Sequence, residues 1–261
     1  MSLESHLRER RDAGAKLLVP YVTGGLDDSW TDVVRAVVDA GADAVEIGIP
    51  FSDPVMDGPV IQQASQRALA RGATPTSILA EARTLDVEVP LVVMTYCNLV
   101  LHAGCERFAA TLADSGVSGA ILPDLPLHEL GEWADAADAN GVETVLLAAP
   151  NSTDERIGAI AARSRGFLYC VSLLGITGVR TELADRATEI ARRVKAATDL
   201  PALLGVGIST PDQAVAGSGV ADGVVVGSAL IARLLEGGGP DGAHELIAGF
   251  RKALDDREEP A

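Results

Sequence analysis

The chain has 261 residues, 48% of them hydrophobic but only 3% aromatic, with 27 Gly and 13 Pro. That composition excludes a disordered chain and points to Ala, Val and Leu packing in many short elements joined by tight turns. With 37 acidic against 21 basic residues the formal charge is −16, and without a dense basic cluster this excludes nucleic acid and an anionic membrane surface as partners.

The first residues, MSLESHLRERRDAGAK, are polar and lack an apolar core, and no apolar run approaches the roughly 18 residues of a membrane span, so a cytoplasmic protein is expected. Cys97, Cys105 and Cys170 have no metal-type spacing and read as reduced structural thiols. An opening helix is expected over Ser2 to Ala13. Strands are then expected at Leu17 to Thr23, Ala44 to Gly48, Leu91 to Tyr96, Gly119 to Leu122, Thr144 to Leu147, Phe167 to Ser172, Ala202 to Val206 and Gly223 to Val226. Between and after them fall amphipathic segments at Asp28 to Ala40, Ile61 to Arg71, Thr76 to Leu85, Cys105 to Ser115, Leu127 to Ala139 and Asp154 to Ser164. The helical pattern continues at Ala184 to Ala197, Pro211 to Ala216 and Asp241 to Asp255. Gly41, Gly116 and Gly141 each end a helix where a left-handed C-cap suits glycine. Eight βα units in this length predict an α/β fold, a (β/α)8 TIM barrel in a single domain over residues 1–261, with the N-terminal helix closing the barrel bottom.

In such a barrel the chemistry lies at the C-terminal ends of the strands. Period-two alternation puts Val45 and Ile47 on one face of the second strand and Ala44, Glu46 and Gly48 on the other. If the bulky pair packs under the helices, Glu46 points into the mouth, where desolvation raises its pKa toward that of a general acid/base. By position alone, a strand-end residue paired with a loop group is an equal reading. The long loop Pro50 to Pro59 brings a second carboxylate, Asp57, although an Asp in such a loop is also an ordinary turn former. Glycine turns after the seventh and eighth strands, with Gly205, Gly207 and Gly227 and the Ser228 hydroxyl, form an anion pocket at a helix N-terminus. Tyr169 is read as facing the lumen, and Gly175 to Arg180 as a lid whose Gly178 adds an amide; a core tyrosine and a plain turn are the competing readings. The four histidines, His6, His102, His128 and His244, lie on or beside helical patterns and are expected to be surface or structural residues. Lys16 and Lys195 precede strands one and seven, at the wrong end for a Schiff-base aldolase.

The segments VEIGIPFSDPVMDGPVIQ (Val45 to Gln62), MTYCNLVLHAG (Met94 to Gly104), LPDLPLHE (Leu122 to Glu129), GITGVR (Gly175 to Arg180), GVGIS (Gly205 to Ser209) and VVGSAL (Val225 to Leu230) resemble the tryptophan synthase alpha subunit family over nearly the whole chain. The resemblance implies reversible retro-aldol cleavage of indole-3-glycerol phosphate to indole and glyceraldehyde 3-phosphate. It implies Glu46 as the acid/base and Asp57 as the residue that holds the indole N–H. Tyr169 matches the family's active-site tyrosine, and Tyr21, Leu99, Ile121, Leu147 and Val206 fall on apolar pocket positions. Thr177 matches the lid threonine, and Gly178, Gly207, Gly227 and Ser228 match the phosphate positions. No metal or cofactor is implied in this chain. A pyridoxal-phosphate-dependent beta subunit is the implied partner, in an alpha2beta2 heterotetramer, with Asp53, Asp124 and the loop from Asn98 to Gly104 on the partner-facing side. Val206 stands where the family often has an aromatic residue, Tyr21 where phenylalanine is frequent, and the first βα loop lacks the usual proline. A stand-alone lyase that releases free indole, and an allosteric paralogue with weak catalysis, share the same motifs.

Overall fold

A computed structural model of the chain describes residues 2–171, 180–205 and 207–257. Eight parallel strands close in sequence order: β1 (Leu17–Thr23), β2 (Val45–Gly48), β3 (Leu91–Met94), β4 (Val117–Ile121), β5 (Glu143–Ala148), β6 (Leu168–Cys170), β7 (Ala202–Leu204) and β8 (Gly223–Val226), which pairs back onto β1. The TIM barrel expected from the sequence is therefore observed.

Alternation along each strand divides the core in two. Leu17, Val19, Ala44, Val92, Val145 and Val225 point inward and fill the lumen, while Leu18, Val22, Val45, Ile47, Val93 and Val224 face outward under the helices. Because the inner residues are mostly Val, Leu and Ala, the lumen is a packed core along most of its length and opens only at the strands' C-terminal ends. The bottom is closed by α1 (Leu3–Asp12), whose Leu3 and Leu7 are fully buried among the lumen residues. That helix is fastened at its start by Glu143 of β5, which accepts from the Ser2 hydroxyl (2.5 Å) and the Glu4 N–H (2.7 Å).

Outside lie α2 (Trp30–Asp39), α3 (Pro59–Ala70), α4 (Pro75–Ala82), α5 (Cys97–Ala103), α6 (Cys105–Asp114), α7 (Gly131–Ala139) and α8 (Asp154–Arg163). The outer layer continues with α9 (Arg180–Ala197), α10 (Pro211–Ser218), α11 (Ser228–Leu235) and α12 (Gly239–Asp255). Gly41, Gly116 and Gly141 have φ of 99°, 76° and 70°, the left-handed geometry expected of them after α2, α6 and α7. Two expectations need correction. The helix expected from Leu127 is broken into a 3-10 turn (Leu127–Glu129) and α7, which starts at Gly131. The loop expected at Asn98 to Gly104 is helical as α5, and its start is capped by a distant residue, with the Cys97 N–H donating to Asp124 Oδ1 at 2.9 Å. A side chain from another βα unit supplies that cap, so no local pattern announces it.

Candidate active site

The barrel mouth holds a cleft of about 940 Å³, its open entrance included. Register brings Tyr21 beside Glu46, and both side chains face the lumen. Glu46 is 1% exposed, and among the described residues neither of its carboxylate oxygens has a hydrogen-bond partner. A buried carboxylate left in this state favours its neutral form: loss of hydration, with repulsion from Asp57 second, raises the Glu46 pKa to about 8. Among the described residues no loop group pairs with Glu46, as the alternative of a paired strand-end glutamate would require.

Asp57 comes over the cleft on the β2–α3 loop. Burial raises its pKa as well, but the Tyr96 hydroxyl donates to its carboxylate and opposes the rise. That hydroxyl also accepts from the Met56 N–H at 3.1 Å, and the Tyr96 ring stacks on Phe51 with centroids 5.0 Å apart. Tyr96 thus holds the loop at three points, and the sequence reading passed over it. A tyrosine just past a strand end and opposite an acidic loop is the available signal. The two carboxylates are inequivalent: Glu46 is without a donor and holds its proton, while Asp57 has a donor that favours its charged form.

Two further tyrosines shape the walls. The Tyr169 ring leans from β6 over Gly205, just beyond β7, where a Cβ would lie 2.0 Å from the ring. Tyr21 of β1 leans likewise over Gly48 at the end of β2, where a Cβ would meet its hydroxyl oxygen at 1.8 Å. Gly205, read from sequence as part of an anion turn, is therefore a seat for an aromatic ring. Loss of hydration shifts both phenols to higher pKa, so both remain neutral hydrogen-bonding groups.

Opposite the apolar side lies the start of α11. Gly227 is its N-cap, and the Ser228, Ala229 and Leu230 amides precede the first intrahelical bond, from the Ile231 N–H to the Gly227 carbonyl (3.0 Å). Gly227, Ser228 and Gly207 all line the cleft. Nothing lies within 4 Å of a Cβ built on Gly207, whose φ is 66°. The result is a mouth with the amide-bearing N-terminus of a helix at one end, its dipole directed toward the cleft that Gly227 and Ser228 line.

Of the residues expected at the site, Tyr21, Glu46, Asp57, Ile121, Leu147, Tyr169, Gly207, Gly227 and Ser228 line one cleft. Leu99 does not: it sits on α5, packed against the outer core. Thr177, Gly178 and Val206 lie outside the described residues. Met94, Pro123 and Ile61 are lining residues the sequence reading did not name. His6 and His244 lie on α1 and α12, His102 on α5 and His128 in the 3-10 turn, all away from the cleft. Lys16 and Lys195 bond to Ala221 and Asp222 at the bottom. Among the described residues no cluster of His, Cys, Asp or Glu could hold a metal ion, and no helix is long and apolar enough to cross a membrane.

Fold and cleft together define a class: (β/α)8 barrels equipped for acid/base chemistry on a small ligand with an apolar body and an anionic end. Comparison with known proteins narrows it. The family model described as tryptophan synthase alpha chain matches residues 7–251. A tryptophan synthase alpha chain of Thermobifida fusca is 43% identical over 258 residues, covering 97% of this chain and 96% of its own, and one of Methanosarcina mazei is 45% identical over 236 residues, covering 89% and 84%. Among solved structures, a Mycobacterium tuberculosis tryptophan synthase superposes with a TM-score of 0.89 at 36% identity, covering 97% of each chain. The chain belongs to the tryptophan synthase alpha chain family.

Proposed function

We propose that this chain, as one cytoplasmic domain over residues 1–261, is a lyase that reversibly cleaves indole-3-glycerol phosphate to indole and glyceraldehyde 3-phosphate. The observation that carries the reading is Glu46: a buried, unpaired carboxyl with a pKa near 8, facing a second carboxylate in a mostly apolar cleft.

The reaction needs a proton delivered to the ring carbon that bears the side chain, removal of the proton from the adjacent glycerol hydroxyl, and relief of the positive charge that develops on the ring. Glu46 starts protonated at neutral pH and supplies the first proton. Its carboxylate then accepts the hydroxyl proton as the carbon–carbon bond breaks, the carbonyl forms and the bonding pair returns to the ring. Glu46 ends protonated again, so one group closes the cycle. Asp57, kept toward its charged form by Tyr96, accepts from the indole N–H and stabilises the charged ring.

The amides at Gly207 and the start of α11 suit the phosphate of the substrate, which explains how a chain of charge −16 binds an anion without a basic patch. Tyr169, Tyr21, Ile121 and Leu147 suit the ring, and Thr177, Gly178 and Val206 are assigned by the family motif. Acid/base catalysis by Glu46 needs no metal or cofactor in this chain; pyridoxal phosphate chemistry is assigned to a beta chain partner in an alpha2beta2 assembly. Among the described residues two large apolar side chains are exposed, Val55 at 74% and Leu101 at 60%, on the Asp57 loop and on α5. Val55 lies two residues from Asp53, and Leu101 is on the helix whose start Asp124 caps, which supports partner docking on this side.

The test is indole release by the wild type and by Glu46→Gln, each with and without a beta chain. Slow turnover that rises with the partner and vanishes in Glu46→Gln is expected. Fast turnover without the partner makes the chain a stand-alone lyase, and no turnover in any mixture refutes the catalytic assignment.

A further inference from the structure

A second cavity adjoins the cleft at the C-terminal ends of β4 and β5, about 870 Å³ with its entrance. Its lining is mixed: Leu122, Leu125, Leu127, Leu146 and Ile160 contribute apolar side chains, and Asn151, Ser152 and Arg156 polar ones. Pro123 and Leu147 line both cavities. The partition between them is therefore one layer of side chains. Leu147 sits near the end of β5, half-buried, while its neighbour Leu146 points outward and lines only the second cavity.

The place of this partition in the barrel decides what it can do. In the closed strand order β4 stands opposite β8, and the N-terminus of α11 follows β8. A ligand with its anionic group at Gly227 and Ser228 thus directs its far, aromatic end at Ile121, Pro123 and Leu147. We infer that Leu147, backed by Pro123, is a specificity-determining wall that confines the site to an unsubstituted indole ring, and that the second cavity is a closed-off extension able to take an apolar substituent on the six-membered ring. The inference rests on the cleavage reaction proposed above, whose substrate orientation it uses. Pro123 is tied to the backbone turn, so Leu147 is the removable half of the wall. An apolar pocket discriminates by volume at roughly tenfold or more per carbon group, so a one-residue change has a measurable effect.

The experiment compares kcat/KM for indole-3-glycerol phosphate and for its methyl- or chloro-substituted ring analogues, in the full chain with its beta partner. The proteins are the wild type, Leu147→Ala, Ala149→Phe and the double variant; Ala149 lines only the second cavity. In Leu147→Ala the ratio of substituted to parent substrate rises about tenfold or more. In the double variant it falls back, and Ala149→Phe alone behaves as the wild type on both substrates. An unchanged ratio in Leu147→Ala, or a rise that survives filling the second cavity, overturns the proposal. If Leu147→Ala is inactive on both substrates, Leu147→Val carries the same ratio test, and no rise there overturns it equally. A wild type that fails to cleave the parent substrate refutes the underlying reaction instead, which keeps the two failures distinct.

Discussion

The two ends of the barrel treat buried carboxylates in opposite ways. At the bottom, Asp43 is 2% exposed and fully engaged: Oδ1 accepts from Arg10 at 2.7 Å, and Oδ2 accepts from the Leu18 N–H at 2.9 Å and from Arg251 at 3.2 Å. Asp222 is held by Lys195 through both oxygens at 2.9 Å and by the Ala202 N–H at 2.8 Å. Each caps a strand that a neighbouring βα unit must meet, so these charges join the ends of the barrel wall. At the top, Glu46 is as deeply buried and has no hydrogen-bond partner among the described residues. Burial cost is offset by pairing at one end and left standing at the other, where an unpaired carboxyl is a proton donor.

Substitutions at the two ends should fail in different ways. The largest effect is expected from Glu46→Gln, with a loss of roughly 10²–10⁴ in kcat that steady-state indole release reads directly. The same variant should be more stable than the wild type. A carboxyl raised from 4.5 to about 8 on folding contributes stability that is greatest below about pH 4.5 and is lost as pH rises toward 8. The stability gap should therefore grow by about 1.4 kcal/mol per pH unit across that window, read by denaturant melts at pH 5 and pH 8. At the other end, Asp43→Ala leaves Arg10, Arg251 and the Leu18 N–H without their acceptor. It should cost about 3–5 kcal/mol in denaturant unfolding, while kcat of the folded fraction is unchanged; a kcat defect there would erase the contrast.

Smaller effects sharpen the upper half. Gly205→Ala forces the Tyr169 ring off its seat and should lose about 1–3 kcal/mol, divided between stability and kcat/KM. Tyr96→Phe removes the hydrogen bond that its hydroxyl donates to Asp57 and the one it accepts from the Met56 N–H, and should lower kcat by about five- to tenfold with little change in melting temperature. A fall in stability of the same size would make Tyr96 a packing residue and no more.

The scaffold was more legible in the sequence than the site. All eight strands were readable, because period-two alternation and left-handed glycines at Gly41, Gly116 and Gly141 are local signals. Glu46 was found by the same alternation, which separated it from Val45 and Ile47. What escaped depends on contacts between units. The cap on α5 comes from Asp124, the anchor of Asp57 is Tyr96 from the next strand, and the roles of Gly48 and Gly205 are set by rings on neighbouring strands.

The central claim is that Glu46 is protonated at neutral pH, and infrared difference spectroscopy between the wild type and Glu46→Gln tests it most directly. A protonated carboxyl band is expected in the wild type at pH 7, titrating away with an apparent pKa of about 8. A Glu46 already ionised at pH 6 would contradict it.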